Sequence, residues 1–156
     1  MKTLGDVARM TTRLPDELAK AQRRGVQRGA LHVTRGIRDE VRAATGGDMK
    51  LSGVGRKGAR VGAKYTLGGG SNPTALIKAT GPMQLLEHNT RPHIIKPRKR
   101  RGAKALALRG GGFAAAVRHP GTTAKKPFEK GYLKTRGDTG RIYDREIQAG
   151  IRGALR

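Results

Sequence analysis

Along residues 14–45, apolar side chains recur at Leu14, Leu18, Val33, Ile37, Val41 and Ala44, mostly three or four apart. That spacing is the period of a helix with one face turned to a core. Pro15 suits a first helical turn, so the pattern predicts one long helix or two beginning near it. Gly25, Gly29 and Gly36 interrupt the run, each weakening a helix interior by about 1 kcal/mol relative to Ala. They admit two readings. One is a kink. The other is a strip of small residues, Ala21, Gly25 and Gly29, against which a second helix packs closely, including one from another subunit. "TGGD", residues 45–48, ends the helix with glycine capping chemistry.

Beyond it the period changes from near four to two. In "RVGAKYTL" the residues Val61, Ala63, Tyr65 and Leu67 share one face while Arg60, Lys64 and Thr66 share the other, as in a half-buried strand. "GGGSNP" (68–73) predicts a turn, "TALIKA" (74–79) a second strand, and "MQLLEH" (83–88) a third after Gly81-Pro82. "FAAAVRH" (113–119) resumes the alternation as a fourth, and a meander is the economical order. Tyr143, Ile147, Ile151 and Leu155 then fall at steps of four. They predict a closing amphipathic helix with Ile147 and Ile151 on its buried face and Asp138 or Thr139 as its cap. The fold class expected is α+β, with a long N-terminal helix and a C-terminal helix packed on a small antiparallel sheet of about four strands. A chain of 156 residues suits a single domain, 1–156, interrupted by flexible basic segments at 46–59 and 89–112.

Charge alters this picture. The chain carries 34 Lys or Arg and 11 Asp or Glu, a net charge of +23, which calls for a polyanionic partner or an acidic neighbour in an assembly. The excess is concentrated centrally, because residues 49–128 hold 17 basic residues and one acid, Glu87. Residues 89–112, "NTRPHIIKPRKRRGAKALALRGGG", hold eight basic residues, no acid and two prolines. They read as an exposed arm whose Arg91, Lys96, Arg98, Lys99, Arg100, Arg101 and Lys104 contact a partner or DNA. Phe and Tyr make up only 3% and Trp is absent, so stacking on bases has little material, whereas contact with phosphates remains open.

Candidate chemistry adds little. Cysteine is absent, which removes disulfides, thiol nucleophiles and Cys-ligated zinc. Gly53-Val54-Gly55-Arg56-Lys57-Gly58 matches G-x-G-x-x-G literally, but it follows a helix terminus and opens no helix, so it reads as a basic loop rather than a dinucleotide site. His32, His88, His93 and His119 lack metal-ligand spacing. Arg136-Gly137-Asp138 has the form of an adhesion tripeptide with nothing to support it. No acid–base pair or nucleophile triad suggests itself, so no enzyme, catalytic residue, metal or cofactor is expected. The opening residues lack an apolar leader core and no stretch reaches a membrane span, so synthesis in the cytoplasm is expected.

One set of motifs gives these elements a common meaning. Glu87, Asn89 and Thr90 form a turn before Pro92–Pro97; His119-Pro120-Gly121-Thr122 forms a second turn, leading to Pro127-Phe128 at the last helix. In that order they resemble the neck or tail-completion proteins of long-tailed double-stranded DNA phages, a family with an E-x-G-T-like turn, a proline-rich basic segment and an H-P-G-T turn leading to P-F. Asn89 replaces the usual glycine, a mild departure because Asn also tolerates a left-handed backbone. The resemblance implies a structural virion protein, made in the host bacterial cytoplasm, whose copies form a ring joining the DNA-filled head to the tail. It implies contacts with adjacent head-connector and tail-terminator or tail-tube rings, and with double-stranded DNA in the channel. His119 is then a turn-anchoring residue. The alternative is a ribosomal-type or other nucleic-acid-binding basic protein, which composition alone favours.

Overall fold

A computed structural model of the chain describes residues 3–51, 59–97, 104–108 and 111–155. The architecture is α+β, as the patterning implies, and comprises two compact units: residues 1–83 with 127–156, and residues 84–126.

The first unit is built on two long helices, α1 (Leu4–Thr45) and α3 (Pro127–Ala154). They run antiparallel. Gly150 lies at Ala21, Tyr143 at Gly25, Thr139 at Gly29, and Gly131 at Ile37. The small-residue strip on α1 therefore exists, and the helix that it admits belongs to the same chain. A Cβ on Gly25 would stand 2.8 Å from the Tyr143 ring, and one on Gly150 would stand 2.6 Å from the Ala21 Cβ. The glycines let the helix axes approach, which is why helix propensity is sacrificed along this seam. α1 buries Ala21, Ala30, Val33, Ile37 and Val41, with Ile37 and Val41 fully enclosed, and α3 buries Ala154.

Three details of the helices depart from expectation. α1 begins at Leu4, so Pro15 lies inside it; the helix continues through because proline removes a single i−4 hydrogen bond, a cost of about 3 kcal/mol that a helix this long and packed absorbs. Asp138 and Thr139 lie in the middle of α3 and cap nothing, since the helix already begins at Pro127, a residue suited to a first turn. The face expected from Ile147 and Ile151 is only partly buried, Ile147 being half-buried and Ile151 exposed. Gly131, Thr135, Glu146, Gly150 and Ala154 are buried, whereas Ile151 and Leu155 are exposed. Steps of four overshoot the helical turn by about 40° each, so the Tyr143–Leu155 series walks off the contact face. The seam follows the small residues that permit close approach.

α1 closes as its sequence suggests. The Gly47 amide donates to the Arg42 carbonyl at 2.8 Å, and Gly46 takes a left-handed φ of 71°, the arrangement that satisfies the last carbonyls of a helix. Two short strands, β1 (Lys50–Leu51) and β2 (Ala59–Arg60), pair antiparallel. β3 (Gly62–Gly68) and β4 (Thr74–Thr80) form a seven-pair hairpin from Gly62↔Thr80 to Gly68↔Thr74. An isolated hairpin is marginal, and this one packs on α1, burying Ala63 and the adjoining Val61. Arg38 Nε donates to the Ala63 carbonyl at 2.9 Å, tying helix to hairpin.

In the second unit the expected third strand is instead a single helical turn, α2 (Gln84–Glu87). Gln, Leu and Glu are helix formers and the segment has no β-branched residue to favour extension. β5 (His93–Ile95) pairs with β8 (Val117–His119), and β6 (Leu106–Ala107) with β7 (Phe113–Ala114). The expected fourth strand is thus two short strands separated by Ala115 and Ala116. The four pairings form four separate two-stranded sheets among the described residues, not one meander.

Candidate functional site

Two constellations stand out, one in each unit. In the second unit the turns at 87–92 and 119–124 meet. Thr90 and Thr122 exchange backbone hydrogen bonds at 3.0 and 3.1 Å, and their hydroxyls bond each other at 2.7 Å. The Ala124 amide donates to Asn89 Oδ1 at 2.6 Å, and the Lys125 and Lys126 amides both donate to the Leu86 carbonyl. Glu87 closes α2 immediately before this junction.

Gly121 can be nothing else. Its φ is 89°, and a Cβ would collide with the Thr90 carbonyl oxygen and press on Arg91 and Pro92. Pro120 precedes it, and the Gly121 amide donates to His119 Nδ1 at 3.0 Å. That bond needs an unprotonated Nδ1, so the His119 proton sits on Nε2. Across the ladder His93 is registered opposite His119, and the two rings stack with centroids 5.0 Å apart. His93 Nδ1 bonds the Arg91 carbonyl at 2.9 Å, so it is the donor there. Each imidazole thus has one nitrogen committed to the backbone of its own turn. This histidine pairing escaped the sequence reading, because only strand register brings residues 26 apart together.

Around this junction the unit has little interior. Ile94 is 63% exposed and Phe113 79% exposed, with Ile95 and Leu108 also on the surface. Backbone ladders and turn hydrogen bonds, rather than a core, hold it. Of the basic positions in the arm, Arg91, Lys96 and Lys104 are exposed, while Arg98, Lys99, Arg100 and Arg101 lie outside the described residues, as does the Gly53–Gly58 loop. Pro127 is buried and Phe128 half-buried at the start of α3.

The second constellation lies on the helix pair. Glu146 of α3 is buried, only 7% of its side chain being exposed, and it pairs with Arg28 and, at 3.5 Å, with Arg24 of α1. A buried carboxylate demands such partners. Beside it, Asp138 pairs with Arg141 and approaches His32 Nε2 at 3.4 Å. A groove of about 320 Å3 opens here, with Arg28, His32 and Arg35 on one wall and Arg145 and Glu146 on the other. Sequence reading missed it because the cross-helix alignment of Arg28 with Glu146 follows from the glycine seam. Farther along α1, Lys20 bonds Glu17 at 2.9 Å; that bond holds the Glu17 carboxyl below its ordinary range and the Lys20 ammonium above its own.

No group of three or more His, Asp or Glu side chains that could hold a metal ion occurs among the described residues. No described helix is long and apolar enough to cross a membrane. The chain matches no family model, no curated protein and no solved structure.

Proposed function

We propose that the protein is a structural subunit of the neck of a long-tailed double-stranded DNA phage, forming a homo-oligomeric ring that joins the filled head to the tail. The observation that carries this reading is the pairing of Thr90 with Thr122. It joins the two motif segments on which the family resemblance rests, although they lie 32 residues apart in the chain. The motif residues have a structural purpose at that junction. Asn89, Thr90, His119, Gly121 and Thr122 spend their polar groups on closing one turn against another.

The surface suits an assembly role. A unit that leaves Ile94 and Phe113 on its outside gains by covering them with a neighbour, since exposed large apolar side chains beside a thin core favour association. Among the described side chains from Leu4 to Arg13, all but Met10 are exposed, and Leu4 and Val7 offer a second adhesive element. The basic arm residues Arg91, Lys96 and Lys104 are exposed, which suits contact with acidic surfaces of adjacent rings or DNA in the channel.

The test is a copy count. Quantitative mass spectrometry of purified virions should give a fixed number of chains per particle, in the range of one or two rings and far below that of the capsid protein. Absence from virions, or co-sedimentation with ribosomal subunits through high salt, contradicts the assignment.

A further inference from the structure

We infer that the groove between α1 and α3 is a binding site for the phosphate backbone of double-stranded DNA, separate from the basic arm. Arg35 and Arg145 are exposed and face the same groove from opposite helices. Neither has an acidic partner within salt-bridge distance among the described residues. Most arginines nearby are already committed: Arg28 and Arg24 to Glu146, Arg42 to Asp39, Arg141 to Asp138, and Arg38 to the Ala63 carbonyl. Arg35 and Arg145 are thus left with planar donor forks for an outside anion, and guanidinium matches phosphate in geometry.

The buried carboxylate of Glu146 makes this a built site. By pairing with Arg28 it fixes one guanidinium at the groove wall, while the five donors of an arginine leave some for a ligand. Leu31 and Ile142 supply apolar lining. Three arginines against one glutamate leave the groove positive before His32 is considered.

The register along α1 favours a repeating polyanion over a small one. Arg28 and Arg35 stand seven residues apart on α1, about 10.5 Å along the axis, and Arg145 faces the same groove from α3. Three guanidinium groups spread over that length reach farther than a single phosphate, so a backbone carrying several phosphates engages more of them than a small anion does. Phe, Tyr and Trp are absent from the groove lining, so there is no platform for unpaired bases, and contact falls to the backbone without sequence reading. The inference rests on the groove alone and stands whether or not the chain is a neck subunit.

The experiment measures binding of the full chain to a short random-sequence DNA duplex by fluorescence anisotropy across a sodium chloride series. Two double variants are compared, Arg35→Gln with Arg145→Gln, and Lys64→Gln with Lys78→Gln. The second removes the same charge from the exposed, cross-strand pair on the hairpin. Circular dichroism checks that both retain their helices. The groove variant should weaken binding several-fold and reduce the slope of log K against log salt by about 1.8, or 0.9 for each lost phosphate contact, while the hairpin variant keeps the wild-type slope. An Arg35→Lys, Arg145→Lys variant should recover most of the slope. Equal losses in the groove and hairpin variants would reduce the effect to net charge and overturn the proposal. So would displacement of the duplex by inorganic phosphate at matched ionic strength, or preference for single-stranded over duplex DNA.

Discussion

Gly131 of α3 lies so close beneath Ile37 of α1 that a Cβ on the glycine would stand 2.5 Å from the Ile37 Cα. The obstacle is backbone, which cannot rotate aside as a side chain can. Gly131→Ala should therefore push the helices apart and destabilise the first unit by about 3 kcal/mol, at the upper end of overpacking costs. Gly137, six residues along the same helix, has nothing within 4 Å of the corresponding position. Gly137→Ala should stabilise by about 0.5–1 kcal/mol through helix propensity alone. Thermal or urea unfolding of the pair checks the seam, and similar effects of the two substitutions would contradict it.

Thr34 is fully buried on α1, and its hydroxyl has no hydrogen-bond partner among the described residues. A buried, unsatisfied hydroxyl carries its full desolvation cost. Thr34→Val keeps the branched shape and removes the polar atom, so it should raise stability by about 1 kcal/mol. Chemical denaturation supplies the measurement; a loss of stability would mean that the hydroxyl is bonded.

Gly121→Ala should open the junction of the second unit, because the new Cβ meets the Thr90 carbonyl at a left-handed φ. Amide exchange should then lose protection at Thr90 and Thr122, whose amides bond each other's carbonyls, while Ile37 in the helix seam stays protected. Unaltered exchange at both threonines would show that the turn pair does not depend on this glycine.

How much of this was legible in the sequence depends on how local each cause is. The hairpin Gly62–Thr80 was readable because alternation through Ala63, Tyr65 and Leu67 and the glycine-rich turn act within a few residues. The end of α1 at Gly46 was readable for the same reason. The identity of the α1 partner was not, because Gly25 and Gly29 permit any close helix, and only the matching Gly131 and Gly150 on α3 select one. Leucine-rich "MQLLEH" misled because its apolar residues fit either period over so short a span. The buried face of α3 misled because its large residues, Ile151 and Leu155, lie outside and its small ones inside. The turn motifs were visible as strings, but their meeting through Thr90 and Thr122 depends on the β5–β8 register. The Arg28–Glu146 pair depends likewise on helix alignment.

The most direct measurement of the central claim is electron microscopy of lysates from a phage carrying a conditional null mutation in this gene. A neck subunit predicts DNA-filled heads and complete tails that remain unjoined, with joining restored when the wild-type chain is supplied in trans. Normal numbers of joined, infectious particles without the protein would contradict the account.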